Sequence, residues 1–181
     1  MSRFKADADR IKEDALYEAI NVLVWGPGNP GPVTSAETRA AYEKRLQIKD
    51  VLKGKFPRAE VHFSEDPEMI NVSQGIHGQL RREALQAAAA DLILMLDNSR
   101  GADLELDHFV PTYSWFRDKV FVFLPEQYVP PKGLVAEVFD YLRPDQVEGY
   151  SKQEFDLCHV ATIKAVNAAH SIALSSLLKR L

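Results

Sequence analysis

The segment Leu96–Phe109, with the sequence LDNSRGADLELDHF, carries several acidic side chains. Their types and spacing are compatible with catalysis by a pair of carboxylates. Asp97 directly follows an apolar run, Ser99 comes two residues later, and Glu105 stands among leucines. Paired carboxylates catalyse the cleavage of bonds to an anomeric carbon. One carboxylate either attacks that carbon or stabilises the oxocarbenium-like transition state. The alternative is that these acids only shape a turn and the start of a helix.

The segment after Asp97 predicts a turn followed by a helix. Ser99 and Gly101 are expected to shape the turn, and the helix is expected to begin near Ala102. Glu105 would then lie in the first turns, near the positive end of the helix dipole. A carboxylate there suits a nucleophile, or a group that stabilises a developing cation, with Asp97 orienting the sugar or binding the leaving group.

Apolar, β-rich runs predict the strands that position this segment. They are Asn21–Trp25, Leu92–Leu96 and Val120–Leu124, with a weaker run at Glu60–Phe63. Each strong run is nearly continuous rather than alternating, which is typical of strands covered on both faces in a parallel sheet.

Helical patterns alternate with these runs. Thr34–Glu37 has capping-box spacing and opens a helix that should stop near Gly54, and Gln79–Ala90 consists of strong helix formers. The alternation predicts an α/β fold with a doubly wound, mainly parallel sheet of four to five strands. We expect one domain over 1–181, with an N-terminal helix at 1–19, a core at 20–145 and a C-terminal helix at 152–181. The Pro-rich segment Pro125–Pro131 predicts a loop.

Ligands of such sheets bind beyond the carboxyl ends of the strands, where the strand order reverses. The loop Gly26–Pro32 (GPGNPGP) follows the first strand, and its glycines allow backbone amides to approach a phosphate or a sugar. It matches neither a P-loop nor Gly-x-Gly-x-x-Gly. A rigid turn without a ligand is the alternative. Arg39 and Arg45, on the next helix, could meet an anionic ligand group.

The loop after the weaker strand carries two adjacent acids, Glu65 and Asp66. One interpretation makes them acceptors for the hydroxyls of a ribose. The other makes them caps for the next helix, as acids after a strand often are.

The run Ala90–Asp97, followed by Gly101 and then Glu105, resembles the nucleoside 2-deoxyribosyltransferase family. The same segment is similar to bacterial TIR domains, in which a serine precedes the catalytic glutamate as Ser99 precedes Glu105. Both groups have a flavodoxin-like fold and cleave N-glycosidic bonds. The resemblance to their general plan covers about residues 20 to 125.

By position, the resemblance makes Glu105 the catalytic carboxylate, Asp97 its helper, and Gly26, Gly28 and Asn29 part of the pocket for sugar or phosphate. It implies a hydrolase or transferase acting on a nucleoside, a nucleotide or NAD. The alternative is a non-catalytic, TIR-like module that binds a nucleotide or a partner protein. Such a module could self-associate through apolar residues of the C-terminal helix, namely Ile172, Leu174, Leu177 and Leu178.

Composition narrows the classes of partner. The formal charge of −4 argues against nucleic acid, because phosphate backbones are bound by clustered Lys and Arg. One cysteine, Cys158, allows neither a disulfide within the chain nor a cysteine metal site. His108, three residues after Glu105, makes a metal pair conceivable, but we expect no metal and no cofactor. Without an apolar signal core or membrane-length run, a soluble, cytoplasmic protein is expected.

Overall fold

The protein was analysed as a computed structural model, which describes residues 3–32, 35–96, 100–125, 134–150 and 159–180. Its centre is one sheet of five parallel strands in the order β2-β1-β3-β4-β5. The strands are β1 (Asn21–Trp25), β2 (Glu60–His62), β3 (Leu92–Leu96), β4 (Val120–Pro125) and β5 (Val147–Tyr150). This arrangement confirms the predicted flavodoxin-like, doubly wound α/β fold.

Helices cover both faces of the sheet. They are α1 (Arg3–Ala15), α2 (Ala36–Lys55), α3 (Pro67–Val72), α4 (Gln79–Ala89), α5 (Arg100–Thr112), α6 (Ser114–Arg117), α7 (Leu134–Phe139) and α8 (His159–Leu178). Buried side chains of α1, α2 and α8 form one core cluster with the sheet, and those of α3 to α7 form the other.

The alternating direction of strand side chains explains why the central strands are apolar throughout. Leu92, Leu94 and Leu96 of β3 point into the cluster under α2 and α8, whereas Ile93 and Met95 point into the opposite cluster. All five are fully buried. Burial of each such side chain stabilises the fold by about 1.5–3 kcal/mol. A polar residue at any position of β3 would lose this stabilisation. The edge strand β2, by contrast, has only three residues.

Several element boundaries differ from the sequence predictions. Helix α2 is capped by Ser35, whose side chain accepts a bond from the amide of Thr38, so the cap lies one residue after Thr34. Helix α5 begins at Arg100, two residues before the expected Ala102, and includes Pro111. Five strands agree with the predicted four to five, but the position of β5 was not predicted, nor were the short helices α3, α6 and α7.

Some predicted features lie outside the described residues. These include Cys158 and most of the Pro-rich segment, of which only Pro125 is described, at the end of β4. Within the described ranges, no helix has the length and apolar content that a membrane crossing requires.

The strand order creates a place for a ligand. The chain leaves β1 through α2 toward β2 on one side, and β3 lies on the other side of β1. The order therefore reverses between β1 and β3, and ligands of such sheets bind at the carboxyl ends of the strands beside the reversal. The loop after β1 begins at this edge, where β3 also ends.

Candidate functional site

Gly26, at the start of the first loop, packs closely against the end of β3. A Cβ built on Gly26 would lie 3.0 Å from Cδ of Arg45 and 3.1 Å from Cβ of Leu96, and the φ angle of Gly26 is +150°. Both the space and the backbone conformation therefore require glycine here. Because Leu96 is the last residue of β3, the first loop touches the chain one residue before Asp97.

Arg45, in the middle of α2, is fully buried beneath the first loop. Its guanidinium donates to three main-chain oxygens at the end of β1, those of Val24 (3.0 Å), Gly26 (3.2 Å) and Pro27. An unpaired charge at this depth would be strongly destabilising, and these acceptors offset part of the cost of burying it. Their effect is to hold the start of the loop against α2.

Glu65 supplies the negative charge that balances Arg45. Its Oε1 and Oε2 each accept a bond of 3.0 Å from one terminal nitrogen of the guanidinium, in the planar two-bond geometry that fixes a carboxylate most firmly. Ser64 also donates to Oε2, at 3.3 Å. The Glu65 side chain nevertheless remains 42% exposed. The side chain of Glu65 is thus held in one orientation and is also accessible to solvent.

Asp66, the next residue, has a different environment. It occupies the N-cap position of α3 without making a side-chain cap bond. Its Oδ2 instead accepts bonds from the amide of Phe63 (2.9 Å) and from Nζ of Lys49 (2.6 Å). Burial acts to raise the pKa of Asp66, but these two bonds and the charges of Lys49 and His62 outweigh it and hold the pKa below its usual value. Asp66 therefore ties β2 to α2.

The ring of Phe63 separates the two ion pairs. The guanidinium of Arg45 lies 4.2 Å from the ring centroid, and the ammonium of Lys49 lies 4.3 Å from it. Both distances allow cation–π attraction. A buried aromatic residue after β2 thus helps to keep two cations of α2 in place.

Of the predicted catalytic residues, Asp97 and Ser99 lie outside the described residues. Gly101 and Glu105 lie in α5, but the side chain of Glu105 falls outside the description. Since α5 begins at Arg100, Glu105 is in its second turn, where the dipole acts more weakly than in the first. The roles of these four residues stay predictions.

Trp25 is packed in the core. Its ring centroid lies 5.6 Å from that of Phe109 and 5.7 Å from that of Phe116, and the residue is 1% exposed. The indole Nε1 is buried without a hydrogen-bond partner among the described residues. Trp25 is therefore a packing residue, and its ring has no open face for a base.

His108 lies on the exposed side of α5, where its ring contacts Phe109 and Tyr113 at centroid distances of 5.2 and 6.2 Å. In the part of the chain that the structure describes, no three His, Cys, Asp or Glu side chains come together as a metal site requires.

The residues that the sequence predicted at the first two loops are close together. Gly28 and Asn29 are exposed, and a Cβ on Gly28 would lie 3.8 Å from Oε1 of Glu65. The prediction that Arg45 meets an anionic ligand is wrong, because Glu65 and main-chain oxygens enclose it. Sequence reasoning also missed Lys49. The available signal was two cations four residues apart on α2 and two adjacent acids after β2.

Comparison with known proteins does not assign the chain to a family. No protein-family model matches the chain, and no curated protein matches its sequence. Function is therefore inferred from the fold and from the side chains at the carboxyl edge.

Proposed function

We propose that this protein cleaves the N-glycosidic bond of a nucleoside, a nucleotide or NAD, as a hydrolase or a transferase. Glu105 attacks or stabilises the anomeric carbon, and Asp97 orients the sugar. Ser99 shapes the turn that precedes α5, and Gly101 lies in the first turn of that helix. The first loop and the acid after β2 bind the rest of the substrate.

One observation carries this proposal: the packing of Gly26 against Leu96 at the reversal of strand order. It brings the glycine loop to the strand end that leads into Asp97 and α5. Ligands of doubly wound sheets bind at this reversal, and this supports a substrate site formed by the glycine loop and the predicted acids.

The chemistry needs a carboxylate with few competing roles. Cleavage of an N-glycosidic bond develops positive charge on the sugar, and a nearby carboxylate stabilises that charge or forms a covalent intermediate. Asp66 is committed to Lys49, and Glu65 to Arg45. The resemblance assigns Glu105 and Asp97, rather than these two paired acids, to the reacting carbon.

The test compares three proteins for release of free base from NAD, deoxynucleosides and nucleoside monophosphates. Glu105→Gln should lose nearly all turnover, because the amide keeps the shape of the side chain and removes its charge. Asp107→Asn is the matched control, since Asp107 is an exposed acid on the same helix. Equal activity of Glu105→Gln and the wild type would refute the mechanism.

Two further features belong to the proposal. A cytoplasmic location would give access to nucleotides and NAD. Self-association through α8 also remains a proposal, although Ile172, Leu174 and Leu177 pack partly against the protein's own core and Leu178 is half exposed. Light scattering over a wide concentration range tests it, and a monomer throughout would contradict it.

A further inference from the structure

We infer that Oε1 of Glu65, oriented by Arg45, is the acceptor for the 2′-hydroxyl of a ribose, so that the protein selects ribosyl ligands in which this hydroxyl is free. This inference deepens the proposed function, which leaves the sugar open. It assigns Arg45 as a positioning residue that acts through Glu65 and does not touch the ligand.

The hydrogen bonds of Glu65 leave part of its capacity unused. A carboxylate offers about four acceptor positions. Arg45 takes one on each oxygen and Ser64 takes a second on Oε2, whereas Oε1 has no other donor among the described residues. The side chain is substantially exposed. A ligand hydroxyl can therefore reach Oε1 without breaking an existing bond.

Gly28 keeps this oxygen accessible. A Cβ on Gly28 would lie 3.8 Å from Oε1, which is ordinary contact, and Gly28 does not have a positive φ angle. The backbone therefore accepts a larger residue here, unlike at Gly26. A branched side chain at position 28 would cover Oε1 while leaving the bonds between Arg45 and Glu65 in place.

Rigidity makes Glu65 selective. Two bonds from a fully buried guanidinium hold the carboxylate in one orientation, so little freedom is lost when a ligand binds. In dinucleotide-binding α/β sheets, an acid after the second strand bonds the ribose 2′-hydroxyl. β2 is next to β1 here, and Glu65 lies beside the glycine loop. A 2′-phosphate would meet the negative charge of Glu65 and be repelled.

The experiment is isothermal titration of the full chain with two matched pairs of probes: AMP with 2′-deoxy-AMP, and NAD with NADP. The wild type should bind the member with the free 2′-hydroxyl roughly ten- to hundredfold more tightly, as expected for a hydrogen bond to a charged group. Glu65→Gln should weaken AMP binding, because the amide is neutral. It should also reduce the preference for AMP over 2′-deoxy-AMP and for NAD over NADP.

Gly28→Val separates this role from stability. It should lose the same preference with an unchanged unfolding midpoint. Gly54→Ala, near the end of α2 and outside the first loop, should bind as the wild type does, because an added Cβ there meets no described atom within 4 Å. Equal affinity of the wild type for AMP and 2′-deoxy-AMP would overturn the inference. So would full preference in Gly28→Val, or no saturable binding of AMP and NAD at millimolar concentration.

Failure of this inference and failure of the proposed function give different results. Base release at equal rates from ribosyl and deoxyribosyl substrates would overturn the role of Glu65 and leave the glycosidic activity standing. Selective binding of AMP and NAD without any base release would support Glu65 and remove the glycosidic activity.

Discussion

Replacing Glu65 with methionine should destabilise the protein measurably, because it leaves the buried charge of Arg45 without its counter-charge. Two unit charges about 4 Å apart attract by about 4 kcal/mol at an effective dielectric constant of about 20. Solvent weakens this attraction, since Glu65 is 42% exposed. The main-chain oxygens that also bind Arg45 remain. We therefore expect a loss of about 2–3 kcal/mol, below the 3–5 kcal/mol typical of a fully buried pair.

The assay is urea unfolding followed by circular dichroism, with the m-value unchanged. For a chain of this length the loss corresponds to a fall in Tm of roughly 4–12 °C. Glu65→Gln keeps one acceptor and should lose about half as much free energy. The matched control is Glu60→Gln, because the side chain of Glu60 is 74% exposed and its contact with His62 should contribute less than about 0.5 kcal/mol. A loss below about 0.5 kcal/mol in Glu65→Met would refute this account of Arg45.

Two other substitutions test the loops around Arg45. Gly26→Ala should lower the free energy of unfolding by about 1–3 kcal/mol, because its Cβ would crowd Arg45 and Leu96 at an unfavourable φ. Gly31→Ala should change it by less than about 0.5 kcal/mol in the same urea titration. Asp66, with a pKa below its ordinary 3.8, stabilises the fold fully above about pH 4 and progressively less as the pH falls through the folded-state pKa. Asp66→Asn should therefore be less stable than the wild type near pH 6, and the difference should shrink near pH 2; a constant difference would contradict this.

Local sequence predicted the central strands well and the edges poorly. The bounds of β1 and β3 agree with the prediction, because continuous apolar runs between polar residues leave little choice of register. Strand β5 was missed because its four residues, VEGY, carry no such run. Helix α3 was missed because six residues beginning with a proline are too few for a helical period.

The candidate site could be predicted only in part. Its place followed from the strand order, which the sequence implied. The hydrogen-bond partners of Glu65 and Asp66 could not be predicted from the sequence. Which cation each of two adjacent acids contacts depends on the conformation of the turn that carries them. Arg45 is twenty residues from Glu65 in sequence, and only the packing of α2 on β2 brings them together.

Release of free base is the measurement that bears most directly on the proposed function. Purified protein is incubated with NAD, deoxynucleosides and nucleoside monophosphates, and the products are resolved by chromatography, with Glu105→Gln in parallel. We predict that the wild type releases base from at least one of these compounds and that Glu105→Gln does not. Release by neither protein, with both fully folded, or equal release by both, would contradict a catalytic role for Glu105.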